Sequence, residues 1–564
     1  MTGIKKINLI SAVLVSLSLC GGCTLEKAGN SSQDQTVQED NETEQVKAEK
    51  AEKEEINEIH LRDKDSLYEN DDDTSVVTMY LTVSKGNSSE NTYHTWKEIN
   101  SYSVYDYEDM GVERYRVAGL LQVGDENGPT QGEVGYGESV PNATVQIRGQ
   151  TSSQNAQKNY KIELKKNKGT WRGQRTINLN KHMTEGMRFR NKLAYDLIRG
   201  IPQMVGLRTQ FVHLYVKDNT EESGGKFEDY GIYTQVEQLN KTALKSHGLD
   251  SNGQLYKINS FEFYRYEDII KKEDDAGYDK TAFEKMLEIK GDSDHTKLID
   301  MLTDLNDYSI GIEDVLKEHF DEENIVYWMA FQILMRSEYK LKNYSDQSSW
   351  EKGISNYWGN ILFQRCLKSR SFREKLNDAI LDLREYLNKD MLTSKIESYK
   401  NVLKLYLYSM PDAEYEPLTS EQYDQIAASL PDEIEKNYQL YLESLETPMP
   451  FFVGVPTIDG DKLKFNWDVS YDLDAEDITY SVEVARDYLF RDVIYQNTTL
   501  TVPEAEMDLP EAGQYFVRVR ATNTSGKTQD AFDYYITDEG KHYGMKCFYV
   551  TEDNTVEEDD YEED

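Results

Sequence analysis

The sequence predicts an α+β protein in which a β-rich region is followed by a helical region and then by an all-β domain. Residues 143–148 and 160–165 alternate apolar and polar side chains with the period of two that is typical of strands. Residues 325–333 instead carry apolar side chains at helical spacing. The period of two returns at residues 462–467 and 513–523. These three observations place helices between two β regions, which is an α+β pattern.

Composition narrows the classes of function. The chain has 564 residues, which suggests two or three domains, and its formal net charge is −40 at pH 7. Such a charge argues against nucleic acid as a partner, because phosphate backbones are bound through Lys and Arg. It also disfavours adsorption to anionic lipid. It suits a soluble, exposed surface protein, or one with basic partners.

The first 23 residues are predicted to be a lipoprotein signal peptide. Lys5 and Lys6 form a basic start, and residues 9–19 are an apolar run too short to cross a bilayer. The following Leu-Cys-Gly-Gly-Cys resembles a bacterial lipobox, with Cys23 as the lipidated first residue of the mature protein. Plain secretion with Cys23 free is the alternative. Residues 24–55 are polar and charged, which predicts a disordered acidic tether outside the cytoplasm.

Two cysteines remain beyond this leader, Cys366 and Cys547, and the sequence leaves open whether they pair. Beyond the leader, no CxxC spacing of the kind that indicates zinc is present.

The two strands at 143–165 form a hairpin with a connection of small polar residues. Arg148 and Gly149 close the first strand, Ser152 and Ser153 lie in the connection, and Lys158 opens the second strand. Protein kinases use a similar layout, with a Gly-rich loop over ATP and a strand lysine on its phosphates. A solvated hairpin with an ordinary surface lysine is the alternative. The patterns before it predict a strand at 76–83 and aromatic-rich β structure at 102–123.

The elements after the hairpin lead into the helical region. The spacing predicts a helix at 187–198, strands at 211–216 and 230–236, an aromatic strand or short helix at 261–266, and helices at 297–308, 312–319 and from 322 onward. Glu237 ends the second of these strands, and an ordinary ion pair with a nearby Lys or Arg is one interpretation of it. The last helix leads to Glu338 and Asn343, whose spacing matches the acid and the asparagine of a kinase catalytic loop.

The C-terminal part divides at Pro448 and Pro450. Before these prolines, residues 360–445 are predicted to be a helical lobe whose clearest helices are 371–387 and 420–445. Ser371 and Glu374 have the spacing of a capping box, which supports a helix start there. After them, residues 448–540 are predicted to be a β-sandwich. Its Trp467 and the alternating strand from Tyr515 resemble fibronectin type III domains. Residues 541–564 are predicted to be an acidic tail.

Five stretches in order resemble the spore-coat protein H (CotH) kinase-like family over roughly residues 76–446. They contain Arg148-Gly149…Lys158-Asn159-Tyr160, the segment 178–197, the two strands ending at Glu237, the segment 325–344, and Gly353-Ile-Ser-Asn-Tyr-Trp. The resemblance implies an atypical kinase-like domain at 56–447, with a β-rich N-lobe and a helical C-lobe, that transfers phosphate from ATP with Mg²⁺ or Mn²⁺ to Ser or Thr of a secreted protein. The residues that match the family pattern are Arg148, Ser152, Lys158 and Glu237 for the nucleotide, Glu338 as the catalytic acid, and Asn343 for the metal.

The chain departs from the family pattern at two points. Glu338 stands where the family has Asp, and the segment that supplies the metal-binding acid is missing between Asn343 and Gly353. A longer carboxylate arm and a lost metal ligand both misplace reacting groups, and a misplacement near 1 Å costs about 100-fold in rate. The sequence therefore predicts a catalytically impaired kinase with an unidentified protein substrate or surface partner. The alternative is a non-catalytic surface protein used in adhesion, coat assembly or carbohydrate-associated assembly.

Overall fold

The computed structural model describes residues 67–68, 71–221, 225–259, 261–335, 349–538 and 540–559. Within them a β-rich region, a helical region and a second β region follow one another, so the α+β prediction is confirmed. No helix in these ranges is long and apolar enough to span a bilayer. The predicted signal peptide, Cys23 and the tether lie outside the described residues, as do Glu338 and Asn343.

The N-terminal region is built on one large sheet that closes on itself. Its strands pair in the order β1-β7-β8-β6-β5-β4-β2-β3, and β1 also pairs with β2, so seven strands form a ring. Most neighbours are antiparallel, but β1 and β7 run parallel. The strands are β1 (Val76–Ser84), β2 (Val117–Asp125), β3 (Gly128–Pro129), β4 (Ala143–Arg148), β5 (Asn159–Leu164), β6 (Thr176–Asn180), β7 (Thr209–Asp218) and β8 (Glu228–Glu237).

Apolar side chains from every strand of this ring fill its interior. The alternation that predicted strands also sorts side chains between the inside and the outside, because successive residues of a strand face opposite sides. Two short helices, α1 (Trp96–Ser101) and α2 (Val104–Met110), add Trp96, Ile99 and Tyr107 to the same core. The prediction of β structure throughout 102–123 was therefore wrong for its first half. Ser103 begins α2 with a capping box to Asp106.

The helical region packs against the outside of the ring. Its short strands β9 (Tyr256–Ile258) and β10 (Leu287–Ile289) pair with each other, and helix α8 lies in its core between α10 and α13. The helices are α3 (Arg190–Arg199), α4 (Lys241–Ser246), α5 (Lys280–Met286), α6 (Thr296–Asn306), α7 (Ile312–His319), α8 (Glu322–Met335), α9 (Ile361–Lys368), α10 (Arg370–Tyr386), α11 (Lys389–Leu407), α12 (Ser420–Ser429) and α13 (Glu433–Leu445).

Three local predictions in this region need correction. The segment 261–266 forms neither strand nor helix, and Phe263 and Tyr266 have positive φ angles that interrupt regular structure. Helix α10 is capped by Ser369 rather than Ser371, because the Ser369 hydroxyl accepts the Phe372 N–H at 3.2 Å. The helix expected over 420–445 is broken by a 3₁₀ turn at Leu430–Asp432, where Pro431 lacks an N–H to donate.

The C-terminal region is a two-sheet β domain. One sheet has the order β11-β12-β15, and the other has the order β14-β13-β16-β20-β21 with β17 beside β16. Strands β18 and β19 form a separate two-stranded hairpin. The strands are β11 (Thr457–Asp459), β12 (Lys462–Asn466), β13 (Ile478–Ala485), β14 (Val493–Leu500), β15 (Glu504–Asp508), β16 (Gly513–Asn523), β17 (Thr528–Asp530), β18 (Tyr534–Thr537), β19 (Gly540–Tyr543), β20 (Met545–Val550) and β21 (Val556–Glu558).

This domain extends past the boundary predicted at residue 540. Strand β20 pairs with β16 from Gly513 to Arg518, and it buries Phe548 and Val550 in the core between the sheets. Acidic residues after 551 dominate the composition of the stretch 541–564, and they concealed the apolar alternation of this strand. An acidic tail thus begins after β21 rather than at residue 541.

The two cysteines beyond the leader do not pair with each other. Cys366 in α9 and Cys547 in β20 are both buried and free. Burial raises the pKa of the Cys547 thiol to about 12 and that of Cys366 well above its usual range. Both therefore act as small apolar side chains of their cores.

The β domain is attached to the helical region through the segment 349–358. Gln529 lies between two of its hydroxyls, since it accepts from Ser349 Oγ at 2.5 Å and donates to Ser355 Oγ at 3.2 Å. The Trp350 ring packs edge-on against Phe532, with 5.3 Å between the ring centroids. Gln529 and Ser355 are buried, so the two regions share an interface rather than only a linker.

Candidate functional site

The hairpin of β4 and β5 carries most of the predicted nucleotide residues, and its two strands are confirmed. Arg148 pairs with Asn159 at the loop end of the hairpin, and the connecting loop contains a 3₁₀ turn at Thr151–Gln154. Gly149 has a φ of +92°, and a Cβ there would lie 2.1 Å from Ser152 Oγ. Only glycine fits this close approach. Ser152 Oγ in turn accepts a hydrogen bond from the Asn159 amide at 3.0 Å, which fixes the turn to the second strand.

Lys158 lies at the end of the ring beside helix α2. Its side chain is buried, and Nζ donates to the Ser153 carbonyl at 2.6 Å. Burial lowers the pKa of Lys158, and the carboxylate of Asp106 opposes this shift without an ion pair within 4.0 Å. An ammonium group has three donors, and the described residues take one of them. The amine is therefore a buried donor that still has capacity for further acceptors.

Arg148 faces the outside of the ring, towards helix α3. Along β4 the interior positions are Val145 and Ile147, so Arg148 has the opposite orientation. Its Nη1 contacts Asn180 Oδ1. Burial lowers the pKa of Arg148 to about 10, and Tyr195 acts in the opposite direction. Among the described residues no carboxylate forms an ion pair with this guanidinium.

A buried ionic cluster next to this hairpin had not been predicted from the sequence. Lys181 Nζ lies 2.6 Å from Asp412 Oδ1, and Arg188 Nη1 lies 3.4 Å from the same oxygen. Asp412 also accepts from the Gln157 side chain at 3.0 Å and from the Ile232 backbone N–H at 2.8 Å. Asp412 belongs to the helical region, whereas Ile232 lies in strand β8 and Gln157 in the hairpin loop, so the cluster joins the helical region to the ring.

Glu237 lies in a different environment, at the other end of β8. Its Oε1 accepts from Arg208 Nη1 at 2.9 Å, and its Oε2 lies 2.9 Å from His247 Nε2. Burial raises the pKa of Glu237, but the His247 hydrogen bond and the charges of His247 and Arg208 outweigh this effect and lower it. The structure thus places Glu237 with Arg208 and His247 and not with Lys158, as the ion-pair interpretation of the sequence expects.

The cofactor predictions depend on two sets of residues. The donors of Lys158, together with the glycine turn, fit the phosphate oxygens of ATP, because a buried cation without a carboxylate partner suits an anionic group. Arg148 is half-buried and lies on the outer face of the hairpin, away from Lys158. The Mg²⁺ or Mn²⁺ prediction depends on Asn343 and stays a prediction. Within the described ranges, no three His, Cys, Asp or Glu side chains come together as a metal-binding group.

Comparison with known proteins identifies the family. The sequence pattern of the family described as "CotH kinase protein" matches residues 145–344 and 337–441, which together cover more than half of the chain. A search of curated proteins gives no match. The matched residues include the β4–β5 hairpin, the buried cluster around Asp412 and helices α3 to α12, and the chain belongs to the CotH kinase protein family.

Proposed function

We propose that this protein is an extracytoplasmic CotH-family lipoprotein that binds ATP at the loop connecting β4 and β5 and has weak phosphotransferase activity. The observation that carries the proposal is the state of Lys158, a buried ammonium group with one carbonyl acceptor and no carboxylate partner among the described residues. Such a group gains most from an added anion, because a buried charge without a counter-ion is costly. A bound nucleotide would supply the phosphoryl group, and Lys158 would hold its phosphates.

Impaired catalysis is supported by the sequence around the predicted catalytic acid. Glu338 stands where the family has Asp, and the segment that supplies the family's metal-binding acid is missing between Asn343 and Gly353. Phosphoryl transfer relies on metal ions to neutralise charge on the β and γ oxygens. A shortened segment and Glu338 in place of Asp are therefore expected to remove several kcal/mol of transition-state stabilisation, at about 1.4 kcal/mol per tenfold.

A non-catalytic surface-binding role is the second candidate, and the C-terminal β domain favours it. The order of its sheets, β11-β12-β15 and β14-β13-β16-β20, supports the fibronectin type III-like assignment. So does the Tyr515 hydroxyl, which donates to the Glu511 carbonyl at 2.7 Å in the manner of a tyrosine corner. Domains of this kind serve as spacers or binding modules, and a surface partner rather than a phosphorylated substrate would then define the function.

ATP binding distinguishes the two candidates. We expect ATP to raise the melting temperature of the full chain by about 2 °C at ten times its Kd, with or without Mg²⁺ or Mn²⁺, because that concentration adds about 1.4 kcal/mol. The Lys158→Ala variant should lose this shift. Lys161→Ala is the matched control, since Lys161 lies on the outward face of the same strand and pairs with Glu163 at 3.4 Å.

The outcomes separate the candidates fully. Absence of a shift with any nucleotide would leave the non-catalytic binding role. Robust autophosphorylation with radiolabelled ATP that Lys158→Ala abolishes would instead show an active kinase and refute the impairment. Weak, metal-insensitive ATP binding with little label is the expected result.

Anchoring is tested separately. Replacing Cys23 by Ala removes the predicted acylation site, and two acyl chains are needed for stable attachment to a bilayer. We expect the Cys23→Ala variant to move from the membrane fraction to the medium. Full retention of this variant in the membrane fraction would contradict the lipoprotein assignment.

A further inference from the structure

The loop between β6 and α3, residues 181–189, holds two side chains in an unusual backbone conformation. His182 has a φ of +50° and Arg188 a φ of +54°, and neither is a glycine. Left-handed φ angles are uncommon for such residues, and they concentrate at functional sites where the surroundings enforce them. The surroundings hold Arg188 in this conformation, because its Nη1 contacts Gln157 Oε1 at 3.2 Å and Asp412 Oδ1 at 3.4 Å.

The other edge of the Arg188 guanidinium has no hydrogen-bond acceptor. Nε and Nη2 are both inaccessible to solvent and without a hydrogen-bond partner among the described residues. These two nitrogens form the side-on edge that binds carboxylates and phosphates in a bidentate manner. His182 Nε2, also buried, has no hydrogen-bond partner in the described part of the chain either. Buried donors are almost always paired, so an unpaired edge of this shape indicates a missing acceptor.

The carboxyl groups near this edge leave it without a hydrogen bond. Arg148 has no carboxylate partner in the described ranges, and burial followed by the charges of Arg148 and Arg188 lowers the pKa of His182 to about 4. The carboxyl group of Glu416 approaches this edge, but its Oε2 lies 3.7 Å from Arg188 Nε, too far for a hydrogen bond. Glu416 Oε2 has no hydrogen-bond partner among the described residues, and burial raises the pKa of Glu416 to about 7. Arg188 thus has two carboxyl groups within 4.0 Å, Asp412 and Glu416, and neither forms a hydrogen bond with Nε or Nη2.

We propose that the side-on edge of Arg188, with His182 and Arg148 beside it, is a binding site for a phosphoryl oxyanion, and that the Glu416 carboxyl covers this edge until such a group displaces it. The site is connected to the hairpin, because Gln157 contacts both Arg188 and Asp412 and precedes Lys158 in the chain. Where the phosphoryl group belongs to ATP, the inference rests on the proposed function. The oxyanion chemistry itself does not depend on a nucleotide.

Calorimetric titration of the full chain with pyrophosphate, without divalent metal, tests the site. We expect binding by the native chain and about fivefold tighter binding by Glu416→Gln, because this change removes the competing carboxylate but keeps its shape. Glu414→Gln is the matched control, since Glu414 is an exposed acid of the same segment and should leave the affinity unchanged. Arg188→Lys keeps the charge facing Asp412 but loses the bidentate edge, and it should weaken binding by about tenfold.

The results also separate this site from the ATP site of the proposed function. ATP that displaces pyrophosphate would identify a nucleotide as the source of the phosphoryl group. Pyrophosphate binding that responds to Glu416→Gln would support the site even if ATP gave no thermal shift. Absence of pyrophosphate binding, or equal binding by the native chain and Glu416→Gln, would overturn the inference and leave Arg188 and Glu416 as a structural ion pair. If Arg188→Lys does not fold, Glu416→Gln decides alone.

Discussion

The buried cations of this protein differ in the hydrogen-bond acceptors and counter-ions that surround them. Arg208 is completely buried and binds Glu237 and the Ser246 hydroxyl, each at 2.9 Å. Such a group contributes to structure, because removing either charge would leave the other buried and uncompensated. Lys158 is also buried but has a single carbonyl acceptor among the described residues. The difference in acceptors, and not burial itself, distinguishes a structural cation from a candidate ligand group.

The proximity of two site residues could be predicted from the sequence only where both lie in one local element. Arg148, Gly149 and Lys158 lie within one hairpin, so their proximity follows from strand pairing. The contact between Arg188 and Asp412 joins positions 224 residues apart. No spacing rule connects such residues, and only the docking of the helical region on the ring brings them together. The predicted catalytic acid Glu338 and the predicted metal ligand Asn343 lie outside the described residues and stay predictions.

At the scale of elements, the sequence predicts a helix well where apolar residues recur at helical spacing and poorly where the residue types favour a strand. Helix α7 has the bounds that its apolar spacing predicts, from Ile312 to His319. Helix α2 was missed because its tyrosines are typical of strands, although the spacing of Ser103 and Asp106 is that of a capping signal. Packing at the end of the ring, where Tyr107 is buried, outweighs the strand preference.

The extent of the C-terminal domain leads to a prediction about strand β20. A chain that ends at residue 540, the boundary predicted from composition, should lose the fold of its β domain. Four buried side chains, Met545, Cys547, Phe548 and Val550, would be removed from the sheet. At roughly 2 kcal/mol each, their loss approaches the whole stability of a small domain.

Limited proteolysis measures this effect. Cleavage within residues 457–538 should become fast in the chain ending at 540 and stay slow in one ending at 559, which retains β20 and β21. Equal protease resistance of the two chains would show that β20 is dispensable.

At the scale of the whole molecule, the β domain is a structural partner of the helical region. The segment 349–358 follows closely after the predicted catalytic stretch and packs on the β domain through Trp350 and Trp358, the second of which stacks on Tyr471 at 5.5 Å. The Asn523 side chain donates to the Glu446 carbonyl at 3.0 Å, which ties the domain to the end of helix α13. These contacts with the β domain restrict the position of the segment 349–358.

This interface predicts that the two regions unfold together and that Gln529 couples them. Gln529 is buried between the hydroxyls of Ser349 and Ser355, so Gln529→Ala would leave buried polar groups without partners, at a cost of about 1–3 kcal/mol. Differential scanning calorimetry of the full chain should show a single main transition that moves to lower temperature in this variant. Gln496→Ala is the control, because Gln496 is an exposed glutamine of the same domain that contacts Glu483 at 3.2 Å. Two separate transitions in the native chain, with neither shifted by Gln529→Ala, would show that the β domain is an independent module joined only through its linker.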